Sequence, residues 1–130
     1  MITRFDPTGA RVAHGDQQGL LCVYQKTHSQ VIWQQRQSIA ITAVAWSWDG
    51  AYLASGDAEG NIHLWEAQTG VLVKSSKGHR GAVIQLAWSP TAYQLTSSAN
   101  RESVLRIWDY SPLLHSSQMT TCAGNEARSQ

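Results

Sequence analysis

Long apolar runs and closely spaced cysteines are both missing from this 130-residue sequence. No apolar stretch approaches the roughly 20 residues that a membrane-spanning helix needs, and the first residues contain no apolar core of a secretion signal. The sequence therefore predicts a cytoplasmic protein without a membrane partner. Cys22 and Cys122 lie far apart and match no metal-binding or redox spacing, so we expect two free thiols.

An excess of one charge is also missing. Ten Lys and Arg residues offset nine Asp and Glu residues, which gives a formal net charge of +1 with neutral histidines. The basic residues are scattered along the chain rather than gathered in runs. Because nucleic-acid binding needs a clustered basic surface, we expect no nucleic-acid partner.

What the sequence does contain is an internal repeat. Residues 5–24, 46–65 and 88–108 align with one another, and each segment begins and ends on an aromatic residue. The third segment is one residue longer than the other two, and the extra residue falls within residues 100–103. Spacings of 41 residues (46 − 5) and 42 residues (88 − 46) separate the segments. A period of this length is typical of β-propeller blades.

Each unit of the repeat divides into four short strands. The strands of the middle unit are predicted at residues 41–46, 52–55, 62–65 and 71–74. Gly50, Gly60 and Gly70 lie between them, in turns that favour glycine because it adopts positive φ without steric cost. No segment shows the sustained spacing of apolar residues that is typical of a helix, so the sequence predicts an all-β fold.

Three dipeptides carry a resemblance to a known family. Gly78-His79 opens the third unit and Trp108-Asp109 ends its third strand, while Trp65-Glu66 ends the third strand of the middle unit. Together with the repeat length, they resemble the WD-repeat family of β-propellers. The resemblance covers about residues 1–112 and implies β-propeller blades of four antiparallel strands, with about three WD-type repeats in an incomplete ring.

The resemblance also implies where the blades begin and end. We expect blade 1 at residues 1–37, with the start of its first strand truncated, blade 2 at residues 38–78 and blade 3 at residues 79–112. Residues 113–130 are expected to supply a last outer strand around Met119 and then a disordered tail. Because three blades cannot close a ring, we expect open apolar faces, and hence self-association or association with the remaining blades of a longer propeller.

In this family a structural hydrogen-bond network joins a His, a Ser or Thr of the second strand, a turn Asp and the Trp of the third strand. The resemblance assigns His79, Ser97 and Trp108 to this network in blade 3, and Ser55 and Trp65 in blade 2. No Asp stands in the relevant turn of blade 3, so no complete network is expected in any blade. We expect His79 and Ser97 to find backbone or water partners instead.

No reactive centre is predicted. His79, Ser97 and Asp109 can be drawn as a hydrolytic triad, but Ser97 lies in no Gly-x-Ser-x-Gly nucleophile turn. The five histidines lack metal-binding spacing, and the glycine-containing segment at residues 56–60 lacks the following helix that phosphate loops use. We therefore expect no enzyme, no metal and no cofactor.

The tryptophans are expected to serve packing. Four of them, Trp46, Trp65, Trp88 and Trp108, occupy matching strand positions and are expected to be buried. Trp48, in the turn after the first strand of blade 2, is expected to be exposed.

The function implied by the resemblance is that of a non-catalytic protein-interaction scaffold, which binds partner proteins through its propeller loops. The exposed candidates for this interaction face are Asp16, Asp57, Arg80, Asn100 and Arg101. Two alternatives remain open. One is a truncated fragment of a longer propeller, linked to signalling, kinase or nucleotide-hydrolysing modules and without independent function. The other is a ligand-binding or enzymatic propeller.

Overall fold

The computed structural model describes residues 1–114, which form three separate antiparallel sheets. Each sheet is one blade, and its strands follow one another in chain order. Blade 1 consists of β1 (Ile2–Phe5), β2 (Arg11–Gly15), β3 (Leu20–Gln25) and β4 (Gln30–Arg36). Blade 2 consists of β5 (Ile41–Trp46), β6 (Tyr52–Asp57), β7 (Asn61–Glu66) and β8 (Leu72–Lys77). Blade 3 contains β9 (Val83–Trp88), β10 (Gln94–Ala99) and β11 (Arg106–Asp109).

The predicted fold class is therefore confirmed: the chain consists of antiparallel blades in an unclosed row. The outer strand expected around Met119 lies outside the described residues. Two short helical segments were not expected, a 3-10 turn at Thr27–Ser29 and α1 (Ser111–Leu114). Each is a single turn, which is too short to produce a helical pattern of apolar residues.

Blade 2 is buried on both faces because it lies between the other two blades. Successive side chains of a strand point to opposite faces. In β6, Leu53 therefore packs with blade 1, whereas Ala54 packs with blade 3. The strand is buried from Leu53 to its last residue, Asp57. The core of the molecule thus consists of two layers, one at each junction between blades.

Both layers are rich in aromatic and aliphatic side chains. The layer between blades 1 and 2 contains Ala13, Leu21, Val23, Trp33, Ile41, Val44, Trp46, Leu53, Trp65 and Ala67. The layer between blades 2 and 3 contains Ala43, Ala54, Ile62, Leu64, Val83, Leu95, Trp108 and Tyr110. As expected, Trp48 is exposed, at 38% of its surface, and Trp46, Trp65 and Trp108 are buried. Trp88 was also expected to be buried, but it is only half-buried.

Glycines in the second strands allow neighbouring blades to approach closely. A Cβ atom at Gly15 would lie 2.5 Å from Cγ2 of Ile41, and one at Gly56 would lie 2.6 Å from Cβ of Val83. Ile41 and Val83 are the first residues of β5 and β9, the innermost strands of the following blades. Ser98 occupies the matching position in blade 3. The first strand of each following blade therefore rests directly on a glycine of the blade before it.

Hydrogen bonds cross both junctions at equivalent places. The indole Nε1 of Trp46 donates to the backbone oxygen of Arg4 at 3.1 Å, and Nε1 of Trp88 donates to the backbone oxygen of Ala45 at 3.0 Å. Arg4 and Ala45 each precede the aromatic residue that ends their strand. A buried indole N–H needs an acceptor, so these bonds fix the register of one blade on the next.

Blade 1 reaches blade 2 through two further side chains. Nε1 of Trp33, on the outer strand β4, donates to the backbone oxygen of Ala67 at 2.7 Å. Nη2 of Arg11 donates to the backbone oxygen of Gly50 at 2.8 Å, while its Nε lies 3.0 Å from Oδ2 of Asp6. The guanidinium also lies over the ring of Trp46. Hydrogen bonds thus join blades 1 and 2 at the inner strands, at the outer strand of blade 1 and at one end of the blades.

The close approach at Gly56 leads to the first prediction. We expect Gly56→Ala to lower the free energy of unfolding by about 1–3 kcal/mol, because the added methyl group overpacks the junction against Val83. Urea unfolding followed by tryptophan fluorescence measures this change. The matched control is Ser98→Ala, where a side chain already occupies the equivalent position; it should stay within about 0.5 kcal/mol of the parent chain. Equal losses in both variants would contradict the role of the glycine.

Candidate functional site

At one end of the blades, turns and connecting loops pack together through their backbones. Backbone N–H of Gln37 donates to the oxygen of Gly19 at 2.7 Å, and N–H of His79 donates to the oxygen of Gly60 at 3.1 Å. N–H of Asn100 donates to the oxygen of Ala82 at 2.9 Å. We call this end the loop face, and it comprises residues 16–19, 37–40, 57–60, 78–82 and 99–103. Its loops are held by main-chain bonds at every junction.

Two glycines make this packing possible. Gly19 and Gly60 have φ values of +90° and +88°, and a Cβ atom there would lie 2.2 Å from the backbone oxygen of Gln37 and 2.0 Å from that of His79. A side chain at either position would therefore collide with backbone that cannot swing away. The turns of blades 1 and 2 rest directly on the loops that lead into the next blade.

A buried hydrogen-bond network holds the loop face to blade 3. Nε2 of His79 lies 2.7 Å from Oγ of Ser97, which also accepts a bond from Nε1 of Trp108 at 2.9 Å. Nδ1 of His79 lies 2.7 Å from Oε1 of Glu102. Since the Ser97 oxygen accepts from Trp108, its single proton is free to go to His79 Nε2, and Nδ1–H then donates to the carboxylate.

The expectation of an incomplete network in blade 3 was wrong, because Glu102 supplies the missing acid. Its second oxygen also accepts a bond from backbone N–H of Arg80 at 2.7 Å. The sequence does contain the signal. If the extra residue of the third repeat is placed before Glu102, this glutamate aligns with Glu59 of blade 2. A longer turn and a longer acidic side chain together reach the place expected for an aspartate.

The networks of the other blades are shorter. In blade 2, Nε1 of Trp65 donates to Oγ of Ser55 at 2.9 Å, and both side chains are buried. In blade 1, His14 stands at the serine position, and its Nδ1 lies 3.0 Å from Oγ1 of Thr3. The structure thus brings Ser55 together with Trp65, and His79 together with Ser97 and Trp108.

Asp57 does not lie on the exposed surface that we expected for it. Only 2% of the residue is exposed, and its Oδ1 accepts bonds from backbone N–H of Glu59 and Asn61 at 2.9 and 3.0 Å. Oδ2 lies 3.3 Å from Nε2 of His63. A short acidic side chain at the start of a tight turn is drawn inward by the unpaired N–H groups of that turn.

Asp16 closes the corresponding turn of blade 1. Its Oδ1 accepts bonds from backbone N–H of Leu20 and of Gln18, both at 2.9 Å. These two donors, Leu20 first, hold the pKa of Asp16 below its ordinary value despite an opposing effect of burial. Asp16 is half-buried, whereas Arg80, Asn100 and Arg101 are exposed. The outward-facing members of the predicted set therefore lie around the junction of blades 2 and 3.

Ser97, His79 and Glu102 have the connectivity of a hydrolytic triad but not its accessibility. Only 1% of Ser97 is exposed, and its oxygen is engaged by both His79 and Trp108. A nucleophile must reach its substrate, so this arrangement is a structural one. The triad drawn from His79, Ser97 and Asp109 is not formed, because Nδ1 of His79 lies against Oε1 of Glu102 instead.

Binding a metal ion or crossing a membrane would each require particular features within residues 1–114. This part of the chain has no cluster of three or more His, Cys, Asp or Glu side chains placed to hold a metal ion. Cys22 is a buried free thiol, and Cys122 lies outside the described residues. Nor does any helix between residues 1 and 114 have the length and apolar character to cross a bilayer.

Antiparallel blades joined by crossing indole bonds, with a His–Ser–Trp network at the loop end, define a β-propeller protein. Residues 5–91 match the family model described as the anaphase-promoting complex subunit 4 WD40 domain. The chain belongs to this family of WD40-repeat β-propellers.

This chain spans about a fifth of the length of two of its relatives. It is 31% identical over 98 residues to the U3 snoRNP-associated protein-like EMB2271 of Arabidopsis thaliana, covering 75% of this chain and 20% of the relative. It is 25% identical over 118 residues to the chromatin assembly factor 1 subunit FAS2 homologue of Oryza sativa subsp. japonica, covering 85% and 23%. The crystal structure of the RRP9 WD40 repeats superposes with a TM-score of 0.77 at 26% identity, covering 82% and 34%.

The relatives correct two expectations. Chromatin assembly and the U3 small nucleolar ribonucleoprotein are nuclear, so the expectation of a cytoplasmic protein was wrong. Absence of a membrane segment or secretion signal does not distinguish cytoplasm from nucleus, which explains the error. The expectation of no nucleic-acid partner is not supported either, because one relative is by name associated with an RNA–protein particle.

Glu102 leads to a prediction about pH. Backbone N–H of Arg80 and then His79 hold the pKa of Glu102 below its ordinary value of 4.5, and Arg106 adds a weaker attraction. Because the pKa is lower in the folded state, the ionised carboxylate stabilises the fold above about pH 4.5, and this contribution is lost as the pH falls through the lower folded value.

We therefore expect Glu102→Gln to destabilise the chain at pH 7, and the difference from the parent chain to shrink as the pH falls to about 3. Urea unfolding at a series of pH values measures both chains under identical conditions. Glu59→Gln, at the aligned turn position of blade 2, serves as the control and should show little difference at any pH. A Glu102→Gln effect that does not change with pH would contradict the role of the ionised carboxylate.

Proposed function

We propose that this chain is a non-catalytic protein-interaction scaffold, a three-blade part of a WD40 propeller that binds partner proteins through the loop face. The observation that carries the proposal is the main-chain interlocking of that face at each junction, including the bonds from Gln37 to Gly19 and from His79 to Gly60. Loops held in this way present side chains without paying a large ordering entropy on binding. Arg80, Asn100 and Arg101 are the outward-facing residues it presents.

The named roles of the relatives support a place in nuclear assemblies. One relative is a chromatin assembly factor subunit, and the other is associated with a small nucleolar ribonucleoprotein. We infer that the partners of this chain are proteins of such an assembly, and that nucleic acid can be present in the same complex.

The open face of blade 3 supports a second kind of partner, another blade. Leu105 and Ile107 are 61% and 55% exposed, whereas the residues at the matching positions of blade 2, Ile62 and Leu64, are fully buried under the blade that follows. This contrast favours another blade, rather than solvent, as the cover of this face. That blade comes either from a second copy of the chain or from the remaining blades of a longer propeller.

The proposal of an interaction scaffold is tested by site-specific photo-crosslinking. A photoreactive amino acid at Asn100, on the loop face, should capture discrete protein partners in nuclear extract of the source cells. The same group at Gln68, in the exposed turn after β7 at the other end of the blades, is the matched control. Equal capture from both positions, or from neither, would contradict a binding role for the loop face.

The open face predicts self-association of the 130-residue chain. Sedimentation velocity at micromolar concentration should show species larger than 14.3 kDa, because burying Leu105 and Ile107 removes apolar surface from water. Leu105→Gln combined with Ile107→Gln should shift the chain toward the monomer. Val71→Gln removes an equally exposed apolar side chain away from this face and should leave the distribution unchanged. A compact monomer in the parent chain would overturn the prediction.

A further inference from the structure

The loop face contains a cavity between blades 2 and 3, of about 520 Å³. Three segments meet there: the turn of blade 2, the loop that leads into blade 3 and the turn of blade 3. We call it the arginine pocket, and its lining residues are Ala58, Arg80, Gly81, Ala82, Asn100 and Arg101. Gly81 is required at this junction, because a Cβ there would lie 2.4 Å from the backbone oxygen of Asn100.

The charge available in the arginine pocket is positive. Arg80 and Arg101 are exposed, and neither guanidinium has a hydrogen-bond or ion-pair partner among residues 1–114. The nearby acids are already engaged. Asp57 accepts bonds within its own turn, and Glu102 is held by His79 and by backbone N–H of Arg80. Both guanidinium groups thus line the cavity without forming an internal ion pair.

The blade 2 side of the pocket adds little net charge. Glu59 is exposed next to Ala58, but Nζ of Lys77 donates to the backbone oxygen of Glu59 at 2.5 Å. Glu59 and Lys77 carry opposite charges, so together they add no net charge on this side of the pocket. Arg80 and Arg101 remain the charged side chains that line the pocket.

The backbone of the blade 3 turn is unusual at Arg101. Its φ of +65° lies in the left-handed region, where blades 1 and 2 use Gly19 and Gly60 in the corresponding turns. Such a conformation is strained for a residue with a side chain, and strained residues cluster at functional sites. The extra residue of the third repeat falls in the same turn. The lengthened turn therefore places a second arginine beside Arg80, in a backbone conformation for which the turns of the other two blades use glycine.

We propose that the arginine pocket binds the carboxylates of an acidic segment in a partner protein. The inference rests on the proposed scaffold function and names the chemistry of the partner. Guanidinium groups match carboxylates in planar, two-bond geometry. A nucleic acid needs a basic surface that follows its backbone over many phosphates, whereas this pocket presents two arginines on a chain of net charge +1. A short acidic peptide fits these limits better than a polynucleotide does.

Fluorescence anisotropy with the full chain tests the proposal. One probe is a fluorescein-labelled peptide of alternating Glu and Ser, and the other is a single-stranded RNA with the same number of negative charges. We expect the peptide to bind, and Arg80→Gln and Arg101→Gln each to weaken it by about three- to tenfold. Arg80→Gln leaves the backbone N–H that holds Glu102 in place. Arg36→Gln, the same change at the end of β4 in blade 1, is the matched control and should have no effect.

Three outcomes would overturn the proposal: no binding of the peptide, equal loss with Arg36→Gln, or tighter binding of the RNA with the same dependence on Arg80 and Arg101. Photo-crosslinking from Asn100 in the Arg80→Gln/Arg101→Gln chain separates this failure from failure of the scaffold function. If partner capture persists while the peptide does not bind, the acidic-partner inference fails and the scaffold function stands. If capture from the loop face is absent in the parent chain as well, both fail.

Discussion

The close approach of one blade to the next is the contact on which the rest of the structure depends. A single blade has two faces and cannot bury either by itself, so its stability comes from its neighbours. Gly15 and Gly56 let the first residue of the following blade rest on the second strand of the blade before it. The indole N–H groups of Trp46 and Trp88 then fix the register of one blade on the next, because each donates to one backbone oxygen of the blade before it.

The loop face is a consequence of this packing. Once the inner strands are in register, each turn between the second and third strands meets the loop that enters the next blade, and main-chain bonds join the two. The His79 network adds a side-chain anchor from the loop to the interior of blade 3. Glu102 serves this anchor from a turn that also carries Arg101, so the same lengthened turn contributes to stability and to the arginine pocket.

Much of the fold could be predicted from the repeat, because matching positions carry the same kind of side chain in each blade. The first strand predicted for blade 2, residues 41–46, coincides with β5, and the interior positions of the next two strands were also placed correctly. The fourth strand was predicted at residues 71–74, yet β8 comprises Leu72–Lys77. Its outer position leaves most of its residues only partly covered, so apolar patterning defines its ends poorly.

The site was predicted less well, because the decisive features depend on distance rather than residue type. Asp57 was expected at the surface since it is charged and stands in a turn, but the N–H groups of that turn draw it inside. Glu102 was overlooked since an insertion shifts it by one position. Arg80 and Arg101 lie 21 residues apart in the sequence (101 − 80), and the antiparallel pairing of β9 with β10 brings them to one cavity.

Native-state hydrogen exchange of the isolated chain tests the central claim most directly, because it reports the stability of each blade separately. The measurement is made on the Leu105→Gln/Ile107→Gln chain, in which association does not cover blade 3. If neighbouring blades supply the stability, the amides of β6 and β7, covered on both faces, should exchange more slowly than those of β10, covered on one. Equal protection in blades 2 and 3, or greater protection in β10, would contradict the account.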